Sequence, residues 1–425
     1  MASVLTVEIT RQDLEDLPTP PSHTAFITDV KHLSSYNWIE APTPTIAVPG
    51  SPALWSAPRV PRQLKKDSGL IYIAQNAARH PDSPLEPLFR ALHITDPSFD
   101  LRSIDVVTDR NNIRKLLSFV NPGSNTNSLE PFTIGIEVTR NTAILCREEA
   151  ETQVFIGPHE FQGFGHEFEK AYTKGRVTGS TGHHRIIAYR FGDLKFIVRH
   201  ETDGYVATTT AQSSSTKEKE HDGLSSMLAS LSLSPATGLP TTVPPGSKLT
   251  IREEGEVVPL ESTLEIKTRV FHRRLEIQDV APQLWVSQTP KLVRAYHRNG
   301  MFQVPEVEHV AGSIMRWEEN NHRDLTRLAA LINKILSVAK ELGGAAVMKY
   351  DSKGDKLIVS KVSGKKMLPG DLYSMWDDTP VDTSVSRKHR SSKISLTKGD
   401  ALLCRRYKKR RNPLSKQQRL SPLLA

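Results

Sequence analysis

The sequence predicts a mixed α/β domain, a central sheet with helices packed outside it. Three observations carry that reading. Apolar and β-branched residues recur in runs of strand length from Ile104 onward, as in 133–138, 141–146 and 194–199. Between Asp324 and Leu342, Leu325, Leu328, Leu331, Ile332, Ile335, Leu336, Ala339 and Leu342 fall on one helical face, and Gly343-Gly344 ends that helix. The runs 347–350 and 357–359 flank Ser352-Lys353-Gly354-Asp355, a hairpin signal.

Taken in order, residues 1–24 are polar and marked by Pro18, Pro20 and Pro21, the pattern of a disordered leader. Phe26-Ile27-Thr28 is a short β-prone run. The prolines between Pro42 and Pro61 forbid a helix and predict an extended strap. Ser83 stands as an N-cap before the helical spacing of Leu85, Leu88, Phe89 and Leu92. The stretches 133–138 and 141–146 pair as a hairpin, with Cys146 read as a buried thiol, and 194–199 and 264–270 are further strands. Residues 209–250 form a Ser/Thr/Pro-rich insertion, predicted disordered, in which 224–233 has helical character. From 376 to 425 the chain is a basic, disordered tail. With no internal repeat, residues 25–375 read as one catalytic-size domain.

Composition narrows the function classes. The chain has 425 residues, 37% hydrophobic and 24% charged, and no apolar run near the roughly 20 residues of a spanning helix. The first residues include Glu8, Asp13, Glu15 and Asp16, which speaks against a secretory signal. Two cysteines, Cys146 and Cys404, cannot build a disulfide framework, so a reducing, intracellular setting is expected. The net charge is +9, yet the segment 387–419 holds thirteen Lys/Arg against Asp400 alone. The rest of the chain is therefore slightly acidic. A nucleic-acid reading has to come from a site, not from overall charge. The run 405–411 fits a nuclear-localisation signal or an RNA-binding arm, giving a nuclear and secondarily cytoplasmic placement.

Two acidic motifs supply a candidate site. Glu201 and Asp203 follow the strand 194–199 and project from one face. Glu265 and Lys267 share a face of the next strand, with Ile266 on the other. Carboxylates from two strands beside a lysine are what a divalent-metal phosphodiesterase centre needs, since Mg²⁺ and Mn²⁺ take hard oxygen ligands. Exposed strand ends carry such charges for solubility as well, so each motif alone is weak. The histidines His159, His166, His183, His184 and His200 have no cysteine beside them and no zinc-site spacing.

The ordered set of motifs strengthens the case. Arg110 lies in Arg-Asn-Asn-Ile-Arg-Lys-Leu-Leu and Glu169 in Gly-His-Glu-Phe-Glu. Glu201 and Asp203 lie in Glu-Thr-Asp, Glu265 and Lys267 in Glu-Ile-Lys-Thr, and Gln283 stands seven residues before Pro290. Across residues 65–340 this resembles the eukaryotic decapping exoribonuclease (DXO) family of the PD-(D/E)XK nuclease superfamily, as a divergent, fungal-type member. The resemblance implies a PD-(D/E)XK core and a hydrolase acting on RNA 5′ ends. Its reactions would be removal of incomplete or NAD-type caps, 5′-triphosphate hydrolysis and 5′–3′ exoribonuclease action. It implies that Glu201, Asp203 and Glu265 ligate two Mg²⁺ or Mn²⁺ ions, with Glu169 binding directly or through water. Lys267 would orient the nucleophilic water, Gln283 would support it, and Arg110 would hold a 5′-end phosphate. A 5′–3′ exoribonuclease is the implied protein partner. His166, Thr202 and the segment after Gln283 depart from the family pattern, leaving the 5′-end group open. Two alternatives stand beside this reading: a DNA-directed nuclease of the same superfamily, and a catalytically inactive RNA-end or nuclease-binding partner.

Overall fold

Strand-forming runs build two large sheets, joined where the chain passes from one to the other, and a two-stranded ribbon of Gly69–Tyr72 with Gln153–Ile156. The computed structural model describes residues 5–18, 25–124, 129–157, 159–161, 163–207, 241–364 and 366–377. Twelve strands form the larger sheet. From one edge its order is Thr6–Thr10, Lys356–Lys361, Ala345–Asp351, Thr133–Thr139, Thr142–Glu148, Val106–Asp109, Leu194–Glu201, Ser180–Phe191, Thr28–Ile39, Thr45–Pro49, Thr250–Glu254 and Thr241–Thr242. The smaller sheet is built on Thr263–Val270 and Lys291–Arg298, which run parallel, and reaches Gly204–Tyr205 on one side.

The central strand Leu194–Glu201 explains the layering. It pairs parallel with Val106–Asp109 and antiparallel with Ser180–Phe191. Phe196 and Val198 enter one core with the helices Arg110–Val120 and His322–Glu341. Ile197 enters a second core with the helix Glu86–Thr95 on the opposite face. A strand covered on both faces reads as a near-continuous apolar run, as this one does. The helix His322–Glu341 buries the leucine face its spacing predicts, and Gly343 and Gly344 follow it at positive φ, where glycine is unstrained.

Several boundaries differ from the sequence reading. Residues 5–18 are not all leader: Thr6–Thr10 pairs in register with Lys356–Ser360 as the sheet edge, and Ile9 is buried. Its alternating Val7 and Ile9 are too few for a periodicity signal. The twelve-residue strand Thr28–Ile39 precedes the prolines. Ser34, Ser35 and Asn37 disguise it, because each spends its polar atoms on buried backbone carbonyls of Ala91, Pro49 and Ser51 at 2.8 to 3.0 Å. The helix after Ser83 starts at Glu86 with Leu85 at its N-cap, while the Ser83 hydroxyl donates to the Met367 carbonyl at 2.7 Å. The ordered body runs through Trp376, which is buried against Phe89 and donates to the Thr142 hydroxyl. The strands Thr241–Thr242 and Thr250–Glu254 trim the far end of the proposed insertion. Its remainder at 208–240, including 224–233, lies outside the described residues, as do 1–4, 19–24 and the tail 378–425.

If Thr6–Thr10 is a working edge strand, Ile9→Ala costs about 2–4 kcal/mol in chemical denaturation. A free leader would lose nothing.

Candidate active site

The chain crosses from one sheet to the other between Glu201 and Gly204, and the candidate site lies at that crossing. Glu201 ends its strand in the larger sheet. Gly204 pairs with Leu264 in the smaller one. Asp203 sits between, and its Oδ2 accepts from the Ile266 amide at 2.7 Å. A side chain of the crossing thus docks onto the strand that carries Glu265 and Lys267. The helix Gly165–Tyr172 buries Phe168 and Tyr172 against that sheet, which turns Glu169 toward the same space. Asp67 steadies the first turn of this helix by accepting from the Glu167 amide at 2.9 Å. Arg110 opens the helix that follows Val106–Asp109, the parallel neighbour of the Glu201 strand.

All seven residues singled out in the sequence gather here. Arg110, Glu169, Glu201 and Asp203 line a cleft of about 940 Å³. Glu265, 2% exposed, lies beneath it. Its Oε1 accepts from Lys267 Nζ at 2.5 Å and from the Gln283 amide, and its Oε2 accepts from Arg110 at 3.1 Å. Gln283 is fixed in mid-helix, within Ile277–Ser287, and buried.

The electrostatics follow from enclosure. Burial, then Asp203 and Glu201, push the Glu169 carboxyl well above its ordinary value. Burial, then Glu265, raise Asp203 to about 7. Glu201 is raised too, by burial, with Arg110 opposing. Burial works against charge on Glu265 as well, but Lys267 and Arg110 outweigh it and hold that carboxyl low. Burial likewise opposes the Lys267 ammonium, and Glu265 and Asp203 overcome it. Lys267 is therefore a hydrogen-bond donor here, not a proton acceptor.

An all-oxygen set of mutually repelling carboxylates has the donor chemistry of a hard divalent cation. As the side chains stand, though, no three His, Cys, Asp or Glu among the described residues are arranged as a metal-binding group. The all-oxygen donor set suits such an ion, and both Glu265 oxygens are engaged by protein donors.

Sequence reasoning missed much of the cleft wall. His184 stacks on Tyr36, with ring centroids 5.1 Å apart, and faces Gln75 across 3.1 Å. Arg199 is buried and bound by both oxygens of Asp109 at 2.7 and 2.9 Å. Burial holds His183, His184 and His200 well below their usual pKa, and no metal-holding group of His, Cys, Asp or Glu is found among the described residues. A Cβ at Gly182 would meet Gln75 Oε1 at 2.6 Å and Glu201 Oε1 at 3.1 Å, so glycine permits this close approach. Arg114 lies one helical turn beyond Arg110 with its Nε unpartnered, and burial pushes its pKa down to about 10. Arg114 lies inside the Arg-Asn-Asn-Ile-Arg-Lys-Leu-Leu run and the histidines are visible as a cluster, but Gln75, Gly182 and Arg199 follow no period or motif. Cys146 is buried and its thiol is pushed up to about 12, as expected of a core residue.

The raised Asp203 pKa has a consequence for stability. An acid that holds its proton more tightly when folded stabilises fully below its unfolded value. That contribution is lost as pH rises through about 7. In metal-free protein, Asp203→Asn should therefore stabilise by on the order of 1–2 kcal/mol at about pH 8 and give no such gain near pH 4. Equal effects at both pH values in denaturant titrations would show that the charge is not the strained element.

Comparisons with known proteins now have a geometry to meet. A family model described as "Domain of unknown function (DUF8563)" matches residues 15–376. No curated protein sequence matches the chain. Among solved structures, Rai1 of Scheffersomyces stipitis in complex with (3′-NADP)⁺ and calcium ion is 12% identical. It covers 88% of this chain and 98% of its own, with a TM-score of 0.55. Rai1 of S. pombe is 11% identical over 84% and 100%, at 0.51. Rai1 of Candida albicans in complex with pU5-Mn²⁺ is 11% identical over 85% and 98%, at 0.50. The expected likeness to decapping exonucleases thus holds at the level of the fold, mixed α+β with large mixed sheets flanked by helices. The chain belongs to the DUF8563 family, and its fold is that of the fungal Rai1 structures.

Proposed function

We propose that this chain is a divalent-cation-dependent hydrolase of RNA 5′ ends. Its reactions are removal of incomplete or NAD-type caps, hydrolysis of a 5′ triphosphate, and 5′–3′ exoribonuclease action. The carrying observation is the meeting of Glu169, Glu201, Asp203, Glu265, Lys267 and Arg110, from four separate stretches, at one cleft. The fold likeness supports the choice of substrate, since the Rai1 structures include complexes with 3′-FADP, (3′-NADP)⁺ and pU5.

Each side chain has a role its surroundings permit. Glu201, Asp203 and Glu265, with Glu169 directly or through water, would hold two Mg²⁺ or Mn²⁺ ions. Such ions supply charge neutralisation at the phosphodiester and a more acidic bound water. Lys267, held as an ammonium, donates to the attacking water and orients it. Gln283 fixes Glu265, and so the geometry of Lys267. Arg110 offers a forked guanidinium to a 5′-end phosphate. The basic tail would serve nuclear placement or RNA retention, and a 5′–3′ exoribonuclease is the partner the reading implies.

A second reading draws on the engagement of both Glu265 oxygens: a catalytically inactive RNA-end or nuclease-binding protein that keeps the fold. Incubation with 5′-triphosphate, NAD-capped and 5′-monophosphate RNAs plus Mn²⁺ separates the two. The hydrolytic reading expects turnover of at least one RNA, and binding without turnover selects the inactive reading. Glu265→Ala should lower the rate by at least ~100-fold. Arg110→Ala should raise KM for 5′-phosphorylated RNA by roughly 10–100-fold, as expected for a lost charge-assisted contact. Full retention in both variants would place the chemistry elsewhere.

A further inference from the structure

The strand that carries Glu265 and Lys267 does not end at the cleft. The segment 267–274 contains Lys267, Arg269, Arg273 and Arg274 and no acidic residue. Strand alternation puts Arg269 on the face of Lys267. The parallel partner brings Tyr296 level with Arg269 and places Arg298 one residue past the last pair, Val270–His297. Beyond the strand end, Phe271 is held by its amide on the His297 carbonyl at 2.8 Å and remains 40% exposed.

What sets this surface apart is unneutralised charge on aromatic support. Most arginines elsewhere are tied to carboxylates, as Arg11 is to Asp355, Arg90 to Asp371 and Arg199 to Asp109. Arg269, Arg273, Arg274 and Arg298 are all exposed, and none forms an ion pair among the described residues. The Arg298 guanidinium lies 4.4 Å from the Phe271 ring centre. Arg274 lies 5.7 Å from the same ring and 5.6 Å from that of Tyr296. Guanidiniums laid on rings present flat cationic plates with free N–H edges. A base stacks on the plate and a phosphate bonds to the edge. From Lys267 to Phe271 the strand spans about 13 Å, so the plates begin within a few nucleotides of the cleft.

We propose that Arg269, Phe271, Arg273, Arg274 and Arg298 form a track for the single-stranded RNA body downstream of the 5′ end. This rests on the proposed cleft function for its direction, although the surface has its own readout. An acidic protein segment would use the charges but has no use for stacking plates.

The test compares 5′-phosphorylated RNAs of ~2 and ~20 nucleotides, the shorter too short to reach the plates, with a polyglutamate peptide, using full-length protein. The variants are Arg273→Glu with Arg274→Glu, and separately Arg298→Glu. Each variant should bind the longer RNA at least ~10-fold more weakly, with a shallower salt dependence. Affinity for the short RNA, and its turnover, should stay at the wild-type level, which also shows that the variants are folded. Phe271→Ala should weaken the longer RNA and leave polyglutamate unaffected. Unchanged affinity for the longer RNA overturns the track, as does loss confined to polyglutamate. If wild-type protein turns over no RNA while the variants still lose the longer RNA selectively, the track stands and the hydrolytic reading falls.

Discussion

The site depends on one buried carboxylate. Glu265 sits almost out of water, where an unpaired charge would be expensive. Three donors from three places answer it: Lys267 from its own strand, Gln283 from the helix Ile277–Ser287, and Arg110 from the helix after Val106–Asp109. None of the three is local packing alone. Gln283 and Arg110 each draw a separate element onto the strand Thr263–Val270. Removing Glu265 would leave an ammonium and a guanidinium facing each other at close range, so the three donors and the acceptor are one unit energetically.

The join between the sheets supplies the second constraint. Only a strand that leaves one sheet and immediately enters the next can place Glu201 and Asp203 on opposite sides of the join. The Asp203 bond to the Ile266 amide then fixes the join to the Glu265 strand. Crowding of Glu169, Glu201 and Asp203 is the result of that geometry, and Lys267 and Arg110 offset it only in part, so all three carboxyls stay raised. Such strain is tolerated where something binds, because folding by itself gains nothing from it.

How much of this could be read in the sequence depends on what kind of physics each feature uses. The helix His322–Glu341 and the hairpins announced themselves, because periodicity is local. Glu201, Asp203, Glu265 and Lys267 were legible through strand alternation plus motif order. The strand Thr28–Ile39 was not, since Ser34, Ser35 and Asn37 look polar until their buried carbonyl partners are known. Much of the cleft wall was hidden for the same reason: Gln75 comes from a stretch far from the hairpin that carries His184 and Arg199, and the three share no spacing. The engagement of Glu265 by Arg110 was equally invisible, because two motifs read as separate roles turned out to be bonded to each other.

That last bond bears on how the cleft works under the proposed function. Arg110 carries one guanidinium, and Glu265 already holds it at 3.1 Å. Glu265 cannot be both counter-ion to Arg110 and an open cation ligand, and Arg110 cannot give its full fork to both a carboxylate and a phosphate. Opening this pair therefore serves two ends at once, freeing an acid for a cation and a guanidinium for a 5′ phosphate. Two ligands that both favour the same opened pair reinforce each other's binding, by an amount equal for each. With Arg110 released, Lys267 and Gln283 still hold the other oxygen of Glu265, so the carboxylate stays oriented while its free oxygen turns to the cleft. Under the proposed function, the cation and RNA requirements of the site would be coupled through this one ion pair.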